Sequence, residues 1–307
     1  MSFGPQGLSS LAREKEEGQL EKRALGKTGE KLSILGFGGI VVSKATTQEA
    51  AQRVEEAIRG GVNYFDVAPS YGNAEDMLGP ALEPFRKKVF LACKTQKRSK
   101  AGAFAELEQS LKKMRTDHFD LYQLHAVTTP KDVQEILAPG GALEAFAEAR
   151  QAGKIRFIGF SAHSMEAAIR LMEQFSFDTI LYPVNQTTWH AGHFGPQALE
   201  KAMQKQMGVL ALKALAKGPW EKGAVRTHPK CWYEPLSDPE EALLALRFTL
   251  SHPVTAAIPP GDESIFKMAL GLARRFTPLS EQEIAGLKEK ASKGQPIFRY
   301  PSNEWKA

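Results

Sequence analysis

The chain of 307 residues is long enough for one large domain or two ordinary ones. Its apolar share of 42% and charged share of 24% are those of a soluble globular protein, and they exclude disordered, collagen-like and membrane-spanning chains. Forty basic against 35 acidic side chains leave a mild +5; the basic stretches at 97–100 and 112–115 lack the interleaved aromatics of a nucleic-acid surface, so no nucleic-acid partner is expected.

Residues 1–20 are polar and charged (Arg13, Glu14, Lys15, Glu16, Glu17), without the apolar core of a secretory signal, and read as a loose tail. The remainder, 21–307, reads as one domain. From there on, short apolar runs alternate with helix-patterned segments. The runs are Leu32–Phe37, Val62–Val67, Val89–Lys94, Phe119–His125, Ile155–Ser161, Thr179–Asn185, Gly208–Lys213 and Thr255–Pro259. They are short and almost wholly apolar, as in parallel strands buried on both faces. The longest apolar stretch, Ile34–Val42, is far below the roughly 20 residues of a membrane helix.

The segments between carry helix signals. Thr46-x-x-Glu49 is a capping box, followed by Ala51, Val54 and Ile58 on one face and by Gly60-Gly61 as a stop. Phe104, Leu107, Leu111 and Met114 form the next stripe, and Leu143, Phe146 and Ala147 another. Ser164 precedes Ala168, Leu171, Met172 and Phe175. Pro196 suits a first helical position, Asp238-Pro239 opens a helix before the last run, and Ser280-x-x-Glu283 caps an extra C-terminal helix. Eight repeats of strand and helix predict an α/β fold of the TIM type, a single-domain (β/α)8 barrel. A doubly wound sheet is the alternative, but Gly36-Phe37-Gly38-Gly39 does not match the G-x-G-x-x-G phosphate turn it needs. Between Lys213 and Asp238 lies a long Gly- and Pro-containing connection that carries Trp220, Trp232 and Tyr233. Loops of that length commonly serve as lids.

Barrel enzymes carry their reactive groups at the C-terminal ends of strands. Asp66 lies near the end of the second run, Lys94 ends the third and His125 ends the fourth. Tyr71 follows Asp66 by five residues, in the loop above. Neighbouring strands are about 4.8 Å apart, so the four converge. Lysine is costly to bury unpaired, and Asp66 supplies the counter-charge. The ammonium is expected to favour the Tyr71 phenolate and lower its pKa, making the phenol a proton donor. His125 is placed to orient a carbonyl oxygen. No nucleophile motif is evident, so hydride from a nicotinamide is the natural reactant. Each residue also has a plain alternative: an inert ion pair, a packed tyrosine, a satisfied core histidine. Their convergence at consecutive strand ends favours the functional reading.

The segments N-Y-F-D-V-A-P-S-Y-G-N, A-C-K-T and L-Y-Q-L-H resemble the Asp–Tyr–Lys–His tetrad of the aldo-keto reductase family, from about Leu25 to the C-terminal helix. The resemblance implies NAD(P)H-dependent reduction of aldehydes or ketones to alcohols, with Tyr71 as general acid, Lys94 and Asp66 tuning it and His125 orienting a small carbonyl substrate. It also implies a cofactor site. Ser161 and Gln186 would hold the carboxamide, although Ala162 stands where the family has asparagine. Leu212 takes the place of a stacking aromatic. The backbone of Lys213, Ala214, Leu215, Lys217 and Gly218 would follow the pyrophosphate, with Gly39 and Gly261 at the same mouth. NADP is implied as the cofactor and NAD stays open, because Pro260 and Phe266 stand where a Lys or Arg pair grips the 2′-phosphate; Lys267 or Arg274 are the substitutes in reach.

Trp189, His190, Trp220 and Trp232 are the expected substrate-pocket residues. His190 and His193 form H-x-x-H without a third ligand, so no metal is expected. The two cysteines, Cys93 and Cys231, cannot build a disulfide framework, which together with the tail suggests a cytoplasmic setting. Two other functions remain open: a nucleotide-binding regulatory or sensor barrel, and a Schiff-base aldolase using Lys94, which the Asp66 counter-charge disfavours.

Overall fold

The apolar runs lie side by side in the computed structural model, which describes residues 20–302 and Trp305. Except for Leu20, the expected tail lies outside the described residues. A hairpin of β1 (Lys22–Ala24) and β2 (Lys31–Ser33) comes first. Then follow β3 (Phe37–Gly38), α1 (Thr47–Arg59), β4 (Tyr64–Asp66), α2 (Ala74–Leu82), β5 (Phe90–Thr95), α3 (Lys100–Lys113) and β6 (Phe119–Val127). Next are α4 (Pro130–Leu137), α5 (Ala142–Gln151), β7 (Ile155–Ala162), α6 (Met165–Gln174), β8 (Thr179–Pro183), α7 (Gln186–His190), α8 (Pro196–Gln204) and β9 (Gly208–Leu212). The chain ends with β10 (Ala216–Gly218), β11 (Glu234–Pro235), α9 (Pro239–Ser251), β12 (Ala256–Ile258), α10 (Glu263–Ala273) and α11 (Glu281–Ser292).

Strands β3 to β9 and β12 pair in parallel in chain order. A bridge between Leu35 and Ala257 closes the ring. The fold is one (β/α)8 barrel, as the alternation predicts. The first run differs from its expected extent. Lys31–Ser33 turns out to the hairpin, and only Phe37–Gly38 and the Leu35 bridge enter the barrel. The hairpin caps the N-terminal end of the ring: Leu25 and Leu32 pack with Tyr64, Phe90, Leu121, Leu181, Leu210 and Ala256 inside it. Each fully buried side chain of this size contributes roughly 1.5–3 kcal/mol.

The strands obey a period of two. Tyr64, Phe90, Ala92 and Leu121 face the barrel interior. The residues between them, Phe65, Leu91, Cys93 and Tyr122, face the helices. The cap signals hold, but on α1 Ala51 is exposed and Ala50, Val54 and Ala57 take the core face. Thr46 and Ser280 each form a complete capping box, Ser164 accepts from the Ala167 N–H, and Asp238 accepts from the Glu241 N–H at 2.9 Å. On α5, Ala147 is exposed rather than buried; Ala142, Ala145 and Ala149 take the core face with Leu143 and Phe146. No helix among the described residues is long and apolar enough to cross a membrane.

Candidate active site

The inward face of the strands changes character along its length. Tyr64 and Asp66 succeed each other on β4, Phe90, Ala92 and Lys94 on β5, and Leu121, Gln123 and His125 on β6. Apolar residues fill the lower layers and polar ones the top, where Asp66, Lys94 and Gln123 are all at most 1% exposed. The Lys94 ammonium donates to Asp66 Oδ1 and lies 3.3 Å from the Val67 carbonyl. Asp66 Oδ2 accepts from Gln123 Nε2 at 3.1 Å and from the Tyr64 hydroxyl at 3.2 Å. The carboxylate is thus saturated by three side-chain donors, which is what a buried charge needs. Tyr64 and Gln123 are partners that the strand-end search missed; the two-residue alternation on β4 and β6 is the signal that finds them.

Tyr71 and His125 stand over this pair. The Tyr71 ring centroid is 4.9 Å from Lys94 Nζ and 5.7 Å from the His125 ring, which it meets edge-on at 88°. His125 Nδ1 lies 3.3 Å from the Ser70 hydroxyl. The four expected residues are therefore together. A bulge sets the aim of His125: the β6–β7 register breaks between Leu124 and Val127, and Ala126 adopts φ 51°. The Ala126 N–H donates to Ser161 Oγ at 2.8 Å, and Arg98 donates to the His125 carbonyl at 2.8 Å. Ser161 thus fastens the backbone that carries His125.

The electrostatics follow from burial against pairing. Burial alone would discharge Lys94, but the Asp66 carboxylate and the Tyr71 oxygen outweigh it, so its pKa lies above the ordinary lysine range. Burial raises the Tyr71 pKa above the usual tyrosine value; the Lys94 ammonium opposes this without overcoming it. This corrects the expectation of a lowered tyrosine pKa, because desolvation of the phenolate exceeds the attraction of a cation that Asp66 already neutralises. Burial, then Lys94, Lys213 and Arg98, lower the pKa of His125 to about 3, so the imidazole is neutral at physiological pH.

Above the tetrad is a cavity of about 200 Å³, lined on its polar side by Asp66, Tyr71, His125, His163 and Lys213. The long connection covers it. Cys231, Trp232 and Tyr233 line it, and Lys230 Nζ crosses to the Val41 carbonyl at 3.1 Å on the far rim. A larger groove of about 870 Å³, between the hairpin and the Met203–Met207 and Leu250–Thr255 segments, lies at the opposite, N-terminal end, away from these groups.

The pattern of the aldo/keto reductase family matches residues 34–291. The chain belongs to the aldo/keto reductase family. It is 29% identical over 234 residues to L-galactose dehydrogenase of Arabidopsis thaliana, covering 69% of this chain and 70% of that one. It is 34% identical over 158 residues to the uncharacterized oxidoreductase YqkF of Bacillus subtilis; that match spans 47% of this chain and about half, 49%, of the relative. Among solved structures, an aldo-keto reductase from Klebsiella pneumoniae in complex with NADPH superposes with a TM-score of 0.70 at 23% identity, over 92% of this chain and 99% of that one.

Of the cofactor candidates of this aldo/keto reductase, Leu212, Lys213 and Gly261 line the cavity. Gly38 lines it rather than Gly39, and Ser161, Gln186, Ala214, Leu215, Lys217 and Gly218 lie outside its lining. Of the substrate candidates, Trp232 lines it and the other three do not. Trp220 donates from Nε1 to the Cys231 carbonyl at 2.9 Å and so pins the covering loop from outside. Trp189 and His190 are turned away because Asn185 caps α7 directly after β8. Trp189 packs 4.4 Å from the His252 ring and His190 lies 5.5 Å from Phe248, both on the helical layer. Neither of the expected substitutes for a phosphate grip lines the cavity. Lys267 is held by Glu263 at 3.1 Å and Glu56 at 3.5 Å, and Arg274 caps the far end of α10. Phe266 is buried against Phe37.

Proposed function

We propose that this chain is an NAD(P)H-dependent reductase of aldehydes or ketones in which Tyr71 protonates the carbonyl oxygen. The single observation that carries the reading is the buried Lys94–Asp66 pair directly under Tyr71 and His125 at the floor of one cavity. The residues present fit the nicotinamide end of a dinucleotide. Asn185 Nδ2 and Gln186 Oε1 are buried without hydrogen-bond partners, a donor and an acceptor that complement a carboxamide. Ser161 is the last residue but one of β7 and Leu212 ends β9, the strands on either side of β8. These residues would hold the ring, and the backbone from Lys213 to Gly218 the pyrophosphate. The Klebsiella neighbour's NADPH supports a nicotinamide dinucleotide as the cofactor.

When bound, the reduced nicotinamide supplies the hydride, and the chain supplies the rest. Neutral His125 donates a hydrogen bond that orients the carbonyl oxygen toward Tyr71. The Tyr71 phenol, kept protonated by its raised pKa, gives its proton to that oxygen as charge develops there. Lys94 stabilises the phenolate left behind, and Asp66, anchored by Gln123 and Tyr64, keeps the ammonium in place. Lys94 is a poor Schiff-base nucleophile, since its pairing holds it protonated.

The test is nicotinamide oxidation by purified protein across a panel of small aldehydes and ketones. Consumption of reduced nucleotide that requires a carbonyl substrate is expected. Tight nucleotide binding with no turnover on any member would favour the sensor reading instead.

A further inference from the structure

Two lysines of the cavity, Lys213 and Lys230, have no carboxylate partner among the described residues, and Lys213 is the buried one. Lys213 follows β9 with φ 62°, a left-handed backbone that brings its side chain in over the barrel mouth. The residue is 8% exposed. Among the described residues its Nζ has no carboxylate or hydrogen-bond acceptor; its contacts are ring faces, Trp232 at 5.5 Å and Phe298 at 5.9 Å. Beside it, His163 stacks on Phe298 at 4.9 Å, with a buried Nε2 that has no hydrogen-bond partner. Lys94 is neutralised by Asp66 and Lys230 donates to the Val41 carbonyl at the rim, which leaves Lys213, among the described residues, as the cavity cation with neither a carboxylate nor a hydrogen-bond acceptor. An unpaired, nearly buried ammonium beside an orphaned imidazole nitrogen is costly unless a ligand completes it.

We propose that Lys213 and His163 form an anion-binding subsite of the substrate pocket, selecting carbonyl compounds that carry a carboxylate or phosphate group. This rests on the reading of the cavity as a carbonyl-reduction site and adds the substrate class. Lys213 and His125 face each other within one cavity, so an anionic group at Lys213 leaves the carbonyl of the same small molecule beside Tyr71 and His125. The ring faces of Phe298 and of the half-exposed Trp232 wall the subsite. The same ammonium chemistry also suits the phosphates of a dinucleotide, and the experiment separates the two.

Burial, with repulsion from Lys94, lowers the Lys213 pKa to about 8. The other titratable groups around the cavity are Asp66 from β4, Tyr71 from the loop after it, Lys94 from β5, His125 from β6, His163 after β7, and Lys230, Cys231 and Tyr233 from the covering loop. Both imidazoles are held neutral by burial, Lys94 stays charged, and burial raises the Tyr71, Cys231 and Tyr233 pKa values; of the two lysines whose pKa burial lowers, Lys213 and Lys230, Lys213 is the buried one.

The test compares 4-carboxybenzaldehyde with its neutral methyl ester. In the wild type the ratio of their kcat/KM values is expected to favour the acid and to fall as pH rises through about 8. Lys213→Met is expected to lower that ratio at least tenfold at neutral pH, and Lys213→Arg to restore part of it. Benzoate binding, read by calorimetry on wild type and Lys213→Met, gives an arm independent of turnover. Benzoate affinity that depends on Lys213 without reduction of either aldehyde would uphold the subsite and defeat the proposed function. Reduction of both aldehydes with a ratio indifferent to pH and to Lys213→Met would overturn the subsite and leave the function standing. A loss confined to NADPH affinity would overturn it as well, assigning the ammonium to the dinucleotide.

Discussion

The Lys94 ammonium and the Asp66 carboxylate meet diagonally across β4 and β5, with side-chain exposures of 0% and 2%. Asp66 is in register with Ala92, so Lys94 reaches it from the next inward position along β5. Neither charge has water to fall back on. Lys94→Met is expected to destabilise the fold by roughly 3–5 kcal/mol, because it strands a buried carboxylate. That lowers the unfolding midpoint by on the order of 10 °C. The double variant Asp66→Asn/Lys94→Met is expected to lose less than the sum of the singles. Thermal unfolding of all three decides this; strictly additive losses would mean the pair is not coupled.

The pKa of His125 lies at about 3, well under the ordinary histidine value. The unfolded chain therefore binds a proton here that the folded chain refuses, between about pH 6.5 and 3. Stability is present above the unfolded value and is lost as pH falls through that window. His125→Gln is expected to flatten the acid limb of a stability–pH curve measured by urea unfolding. For an uncharged carbonyl substrate, kcat/KM is expected to show no histidine inflection between about pH 5 and 7. A clear inflection there that vanishes in His125→Gln would contradict the neutral assignment.

The barrel and the tetrad were legible because both rest on short-range rules. Strand ends could be read from apolar runs, and three ionisable residues fell at consecutive ends, with Tyr71 in the loop above the first of them. Gln123 and Tyr64 were hidden only by looking at strand ends alone. The Tyr71 shift was not legible, since its sign depends on how deeply the phenol is buried and on how fully Asp66 spends the Lys94 charge. The orientation of Trp189 and His190 was lost because the tight cap at Asn185 makes a short helix where the sequence suggests a loop. The side-chain position of Lys213 depends on a left-handed backbone that no residue type announces. His163 and the Phe298 it stacks on lie 135 positions apart in the sequence, beyond any local pattern.

Cofactor choice follows from the entrance at α10. Asp262 fills the helix N-terminus with its own carboxylate, and Lys267 is bound to two glutamates. Arg53 and Lys267 there are paired with glutamates, and Lys230, without a carboxylate partner among the described residues, donates to the Val41 carbonyl. The affinities for NADPH and NADH are therefore expected to lie within about tenfold of each other, less than 1.4 kcal/mol apart. Fluorescence titration of both nucleotides checks this; a preference of a hundredfold for NADPH would mean that another group grips the phosphate.

The proton donor is the centre of the account, and Tyr71→Phe tests it most directly. The variant keeps the ring that packs on Lys94 and His125 and removes only the hydroxyl. At saturating nucleotide, its carbonyl-reduction rate is expected to fall by roughly 10²–10⁴-fold while the dissociation constant for the nucleotide stays within about twofold of wild type. A variant that reduces the same carbonyl compound at the wild-type rate would show that the proton comes from elsewhere.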